Sequence, residues 1–140
     1  MIAGRRWVVD TNTLISHLLI PGSLPFLSVQ KALSSGDLLV SDPTLQELAD
    51  VLSRPKFDRY LSSRERESFF QLLGRVAIRI AILRPIRACR DHKDDKFLEV
   101  AINGQADAII TGDSDLLDLH PFLGIPILSP KTFLDEDPKR

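Results

Sequence analysis

The sequence predicts an α/β domain built on a mostly parallel sheet, and three observations carry that prediction. Short apolar runs of strand length alternate with longer stretches of helical period, the alternation that βαβ units produce. Pairs such as Pro21-Gly22, Ser35-Gly36 and Asp42-Pro43 stop one segment and start the next. The length of 140 residues suits one core and leaves no room for a second of full size.

Trp7-Val8-Val9 reads as a buried first strand ending at Asp10. Leu14, Ile15, Leu18 and Leu19 follow at helical spacing until Pro21-Gly22, and Phe26 to Leu33 forms a second helix closed by Ser35-Gly36. Asp37-Leu38-Leu39-Val40 is the second strand. The next helix opens with Asp42 as N-cap and Pro43 in the first helical position, and it carries Leu45, Leu48, Val51 and Leu52 on one face. Arg54-Pro55 ends it, and a short amphipathic piece around Phe57 and Tyr60 follows. Ser62 and Glu65 have capping-box spacing for the longest helix, with Phe69, Leu72, Leu73 and Val76 inward. The β-branched region Ile78 to Leu83 contains a third strand. Asp95 to Ile102 is a helix ended near Gly104, Ala108-Ile109-Ile110 a strand, Leu116 to Leu119 a short helix, and Ile125 to Leu128 the last strand. The domain is expected to occupy residues 1–135, with Glu136 to Arg140 a frayed tail.

Composition narrows the class. A hydrophobic fraction of 44% and a charged fraction of 26% are ordinary for a globular protein. Eighteen basic residues against nineteen acidic ones give a net charge of −1, so a nucleic-acid partner would need a local basic face rather than a global field. Cys89 is the only cysteine, which excludes an intramolecular disulfide, argues against zinc and points to a reducing cytoplasm. The apolar run after Arg5 and Arg6 reaches Asp10 too soon for a signal peptide. The longest one elsewhere, Val76 to Leu83, is broken by Arg79, so no membrane association is expected.

The placement of the acids is the informative feature. Asp10 stands at the carboxyl end of the first strand and Asp113 just past that of Ala108-Ile109-Ile110, the edge where open α/β sheets bind ligands. Glu47 lies in the helix after the second strand, Asp94-Asp95 at the start of the helix after the long loop, and Asp115 two residues beyond Asp113. No Lys or His recurs beside them to neutralise them. Converging carboxylates raise one another's pKa unless a hard cation sits among them, and oxygen-only ligands favour Mg²⁺ or Mn²⁺ over zinc. Each acid also has a plainer reading. Asp10 with Thr11-Asn12, either of Asp94 and Asp95, and Asp113-Ser114-Asp115 could all be helix caps. Glu47 could close a capping box with Thr44, although Pro43 moves the helix start too far back for that. The order of the acids along the chain sets them apart from a scatter of caps.

That order carries a resemblance. Val8-Val9-Asp10-Thr11-Asn12-Thr13-Leu14 resembles the opening motif of PIN-domain nucleases, and Ser41-Asp42-Pro43-Thr44-Leu45-Gln46-Glu47-Leu48 their second. Asp94-Asp95-Lys96-Phe97-Leu98-Glu99-Val100-Ala101 resembles the third, and Ile110-Thr111-Gly112-Asp113-Ser114-Asp115-Leu116-Leu117 the fourth. Leu52-Ser53-Arg54-Pro55-Lys56-Phe57 and the doubled Asp94-Asp95 are similar to the compact VapC-like branch, the toxin components of prokaryotic toxin–antitoxin pairs.

The resemblance implies a three-layer α/β/α sandwich and an endoribonuclease that uses Mg²⁺ or Mn²⁺, with water attacking phosphorus in line. It implies Asp10, Glu47, Asp95 and Asp113 as core acids, Asp115 as a further metal ligand, and Asn12 and Thr111 as orienting groups. Between the doubled acids it favours Asp95, which directly precedes Lys96-Phe97-Leu98, with Asp94 in support. It also implies RNA as substrate, a cognate antitoxin as partner, and a homodimer, for which Phe26-Leu27 and Phe69-Phe70 offer surplus apolar bulk. Arg54, Lys56 and Arg59 form one basic cluster, and Arg84, Arg87, Arg90 and Lys93 another; each is a solvated face or a phosphate contact. His17, His92 and His120 fit structural positions better than catalytic ones. Two other classes share acids at strand ends. A haloacid-dehalogenase-like phosphatase wants a second Asp where this chain has Asn12, and a receiver-like regulatory domain wants paired early acids and a strand-borne Lys.

Overall fold

The computed structural model describes residues 4–136. Five strands form the central sheet, β1 (Arg5–Val9), β2 (Gly36–Val40), β3 (Ile78–Arg79), β4 (Ala108–Ile110) and β5 (Ile127–Leu128), and the aliphatic β4, without polar alternation, is buried throughout. Their order is β3-β2-β1-β4-β5 and every pairing is parallel. The helices are α1 (Thr11–Leu19), α2 (Leu24–Ser35), α3 (Asp42–Leu52), α4 (Ser63–Val76), α5 (Asp95–Gly104), α6 (Ser114–Leu117) and α7 (Pro130–Asp135). Successive strand residues serve opposite faces. Trp7, Val9, Leu38, Ile110 and Leu128 pack with α1, α2, α3, α4 and α7. Val8, Leu39, Ile109 and Ile127 pack with Phe97, Leu98 and Val100 of α5 and Leu116 of α6. The two cores make the three-layer sandwich.

The topology fixes where a ligand can sit. From β1 the chain steps outward to β2 and β3, then crosses back to β4 and steps the other way to β5. The switch point lies between β1 and β4, and the crevice outside their carboxyl ends is the binding position in open α/β sheets. This order differs from the 2-1-3-4-5 order of the receiver fold.

Several expectations shift in detail. Ser41, not Asp42, caps α3, through a capping box with Thr44 in which Ser41 N donates to Thr44 Oγ1 at 2.9 Å. Pro43 therefore stands one position later than expected, and Glu47 is free of capping duty. The box at Ser62 and Glu65 forms as predicted, with Glu65 N donating to Ser62 Oγ at 3.0 Å and Ser62 N to Glu65 Oε1 at 2.9 Å. Ser62→Ala is expected to lower unfolding free energy by about 1 kcal/mol, read as a lower denaturant midpoint at unchanged slope.

On α4, Phe69 and Leu73 are buried, whereas Leu72 and Val76 are 48% and 47% exposed, because the helix meets the core along one narrow i, i+4 stripe. Phe69 thus belongs to the core, while Phe26 and Phe70 are half-buried and Leu27 is exposed. The last strand is shorter than predicted, since Phe122 and Ile125 pair across a turn with Leu123 and Gly124 at φ 47° and 83°. The helix α7 was not expected. Ser129 caps it, Phe133 packs edge-on against Trp7 at 5.0 Å, and Lys31 Nζ donates to Glu136 O at 2.7 Å. Glu136 is therefore tied down rather than frayed, and residues 137–140 of the expected tail lie outside the described residues. Among the described residues no single helix is long and apolar enough to cross a membrane.

Candidate functional site

The acids at the switch point fall into three environments. Asp10 follows β1 and extends its ladder, its N–H donating to Ile110 O at 3.2 Å. Its carboxylate is buried and caps α1, accepting from Thr13 N at 3.0 Å and from the fully buried Thr111 Oγ1 at 2.5 Å. Thr111 Oγ1 in turn accepts from Asp113 N at 2.9 Å, so the side chain predicted to orient the acids joins two of them. Burial pushes Asp10 above the usual carboxylate range; the Thr111 and Thr13 bonds oppose this and the charge on Asp113 adds to it.

Glu47 projects from the second turn of α3 into the same crevice. One carboxylate oxygen accepts from Thr11 Oγ1 and the other from Lys96 Nζ at 2.8 Å. The expectation that no Lys or His accompanies the acids is thus corrected by Lys96 on Glu47, and Arg90 of the second basic cluster pairs with Asp115 at 2.8 Å. Lys96 follows Asp95 by one helical position, a rotation of about 100°, which aims it at α3. Its place beside the doubled acid was the available signal.

Asp94, Asp113 and Asp115 form the third group, each offering an oxygen within 4.8 Å of the others. Asp113 caps α6 through Asp115 N at 2.9 Å. Asp94 stands at the N-cap of α5 but its side chain makes no capping bond among the described residues. Its carboxyl is pushed up to about 7 by burial, by the charge on Asp113, by a hydrogen bond between the two carboxyls, and by Asp91 and Asp115. Asp94 keeps its proton because a second charge so close to those of its neighbours is unfavourable.

Asp95 does not join this cluster. It accepts from Ala88 N at 3.0 Å, Cys89 N at 2.8 Å and the His92 ring at 3.2 Å. Burial raises its pKa, but the two amides and His92 outweigh that and the net shift is downward. Asp95 pins the long loop onto the start of α5, while the residue before it faces the crevice.

The crevice is a cleft of two adjoining cavities. One, of about 180 Å³, is lined by Asp10, Asn12, Glu47, Asp94, Asp113 and Arg54 among others. The other, of about 550 Å³, shares Asp10, Asn12 and Asp113 and continues past Ser16, Pro25, Ser114 and Pro130. Of the predicted basic residues, Arg54 lines a cavity with the acids. Lys56 rests over the Phe57 ring at 5.2 Å, Arg90 also holds Asp118 at 2.6 Å, and Arg59, Arg84, Arg87 and Lys93 are exposed. His17 packs between Phe26 and Phe69 at 5.0 and 5.9 Å, its pKa lowered by burial, and His120 Nδ1 accepts from Ile127 N at 2.8 Å. Burial, then Asp95, pushes the Cys89 thiol up to about 12, which removes it as a nucleophile at neutral pH.

Comparison with known proteins bears on the fold that carries this cleft. The PIN domain family matches residues 6–115. An uncharacterised protein of Methanocaldococcus jannaschii is 31% identical over 141 aligned positions, covering 92% of this chain and 89% of that protein. Among solved structures, VapBC2 from Rickettsia felis, bound to a DNA fragment from its promoter, superposes with a TM-score of 0.60 at 10% identity, covering 89% of this chain and 98% of that one. PAE2754 from Pyrobaculum aerophilum gives 0.57 at 14% identity over 93% and 87%, and FitAcB from Neisseria gonorrhoeae 0.53 at 15% over 89% and 98%. At these identities the solved structures share the fold.

Proposed function

The chain belongs to the PIN-domain family, and from that premise we propose that it is a metal-dependent endoribonuclease hydrolysing RNA phosphodiester bonds. The observation that carries the reading is the acid cleft at the β1/β4 switch point, where Asp94, Asp113 and Asp115 converge beside Asp10 and Glu47. Their chemistry fits a hard divalent cation: the donors are all oxygen, and the crowding that pushes Asp94 up is what such an ion would relieve. Mg²⁺ or Mn²⁺ is the ion proposed.

In this reading Asp94, Asp113 and Asp115 hold the ion, with Asp94 taking the role that the resemblance had given to Asp95. When bound, the ion supplies Lewis-acid polarisation of phosphoryl oxygens and makes water a better nucleophile near neutral pH. The chain supplies the orientation. Thr111 fixes Asp10 and Asp113 relative to each other, and Thr11 with Lys96 fixes Glu47 at the cavity wall. Lys96 also lowers the net negative charge that an RNA phosphate must approach. Asn12, exposed on the first turn of α1 between the two cavities, offers an amide to water or substrate.

The toxin role and the cytoplasmic setting belong to the same proposal. The Rickettsia felis and Neisseria gonorrhoeae neighbours carry the names VapBC2 and FitAcB, and a cognate antitoxin is proposed for this chain by that likeness. An inhibitory partner would match the cleft with an Arg fork, whose planar donors suit carboxylates. A homodimer is proposed with less from the fold, since Phe69 is spent on the core and Leu27 alone of the four residues stands exposed.

Purified protein is expected to cut labelled RNA in Mg²⁺ or Mn²⁺ and to stop when a chelator is added in excess. Undiminished cleavage in chelator would remove the metal from the proposal, and absence of cleavage in every ion would remove the nuclease.

A further inference from the structure

Lys96, Arg90 and Arg54 stand beside the acids of the cleft, and the first two are committed within the protein. Lys96 is bound to Glu47 at 2.8 Å, and Arg90 bridges Asp115 and Asp118 at 2.8 and 2.6 Å. The third, Arg54, lines the cavity of about 180 Å³ together with Asp10, Glu47, Asp94 and Asp113, yet its guanidinium makes no hydrogen bond or ion pair among the described residues. The carboxylates around it already have partners: Thr11 and Lys96 on Glu47, Thr111 and Thr13 on Asp10, Asp113 on Asp94.

The root of Arg54 is fixed while its head is free. Its N–H donates to Val51 O at 3.2 Å, closing α3, and its carbonyl accepts from Phe57 N at 3.1 Å. Pro55 confines Arg54 to an extended backbone, observed at φ −65° and ψ 135°, and the buried Phe57 holds the turn to the core. A five-donor planar fork is thus carried on a rigid corner at the rim of an acidic cavity.

Resting on the nuclease reading above, we infer that Arg54 binds a phosphate of the RNA strand adjacent to the one being cut. An RNA strand carries a charge at every nucleotide and must pass a concentration of carboxylates, on a protein whose net charge of −1 provides no attraction at long range. The offset has to come from cations on the strand's own path, and Arg54 lies beside the acids with its donors unspent among the described residues. The cleft is also asymmetric. Its larger arm adds neutral Ser16, Pro25, Ser114 and Pro130 to the shared acids, with no cation, and suits a nucleoside. The phosphate grip belongs to the Arg54 arm.

The test measures binding and turnover separately. Fluorescent single-stranded RNA is titrated with chelated protein across a salt series, and kcat and KM are measured in Mg²⁺. Arg54→Gln is expected to weaken binding and raise KM by about tenfold, the loss of one charge-assisted contact, with kcat changed by less than about threefold. The slope of log affinity against log salt should fall by about 0.7, one phosphate contact on a single strand. Arg54→Lys should restore the salt slope and part of the affinity, and Arg75→Gln, on the exposed side of α4, should behave as wild type. Unchanged affinity and slope in Arg54→Gln, with wild-type cleavage intact, would overturn the inference and leave the nuclease reading standing. A loss confined to kcat would also overturn it, moving Arg54 to the reacting phosphate. RNA neither bound nor cut by wild type would overturn both.

Discussion

Asp94→Asn is expected to reduce RNA cleavage by at least about a hundredfold while leaving the fold intact, and Asp95→Ala to do the reverse. The two residues are neighbours in sequence and opposites in structure. Asp94 is pushed up by burial and the charge on Asp113 and faces the cleft, so replacing it by Asn relieves repulsion and removes a proposed ligand. Asp95 is the acceptor for two backbone amides, Ala88 N at 3.0 Å and Cys89 N at 2.8 Å. Truncating it to Ala orphans both, at about 1–3 kcal/mol for the buried Cys89 donor and less for the more exposed Ala88, and frees the loop that leads into α5. Asp95→Asn keeps an acceptor for those amides, so it should recover most of the stability and retain most of the cleavage. The measurement is a thermal melt and a cleavage rate for each variant, normalised to folded protein. If Asp95→Asn is inactive and stably folded while Asp94→Asn still cuts, the ligand assignment reverses.

That pair marks the limit of what the sequence discloses. Asp10 and Asp113 are legible because each ends a run of buried aliphatics, and the parallel order of β1 and β4 brings such ends together. Glu47 is legible once Pro43 and the Ser41 cap put it past the first turn. At the head of α5 the same reasoning fails. One residue of helix rotates a side chain by about 100°, and the choice is made by the amides of Ala88 and Cys89, which no local pattern announces. Lys96 was in view as part of a motif, but its pairing with Glu47 spans 49 positions and depends on how α5 lies beside α3. The helix α7 escaped notice because six residues hold too little periodicity, although Ser129-Pro130 is a cap followed by a first-turn proline. The two-residue strand β3 could be predicted only as a region, since pairing with β2 selects Ile78–Arg79 from a longer β-branched stretch.

The chelated protein is expected to lose stability as pH rises from about 4 to about 7, and Mg²⁺ is expected to reverse that loss. In the folded chain Asp94 holds its proton up to about 7, against a usual value of 3.8, and Asp10 is shifted in the same direction. Across that window the native state therefore binds more protons than the unfolded chain, and unfolding free energy falls with rising pH. Asp95 has the opposite sign. Its lowered pKa contributes stability above the usual carboxylate range, and that contribution is lost on acidification below it. The chelated protein should thus melt highest near the lower end of the window, between the two limbs. Asp94→Asn should flatten the upper limb and leave the acid limb unchanged. On the proposed reading Mg²⁺ binds the native state alone, so a concentration a hundred times its dissociation constant is expected to add about 2.7 kcal/mol. That corresponds to a rise of roughly 10 °C for a chain of this size. The rise should be larger at pH 8 than at pH 5, where the ion must displace the proton held by Asp94. Melting curves of wild type, Asp94→Asn and Asp113→Asn, with chelator and with Mg²⁺ at several pH values, decide the matter. A chelated wild type whose melting point is flat through the window, and which Mg²⁺ does not move, would show that these acids are caps and solvated charges rather than a cation site.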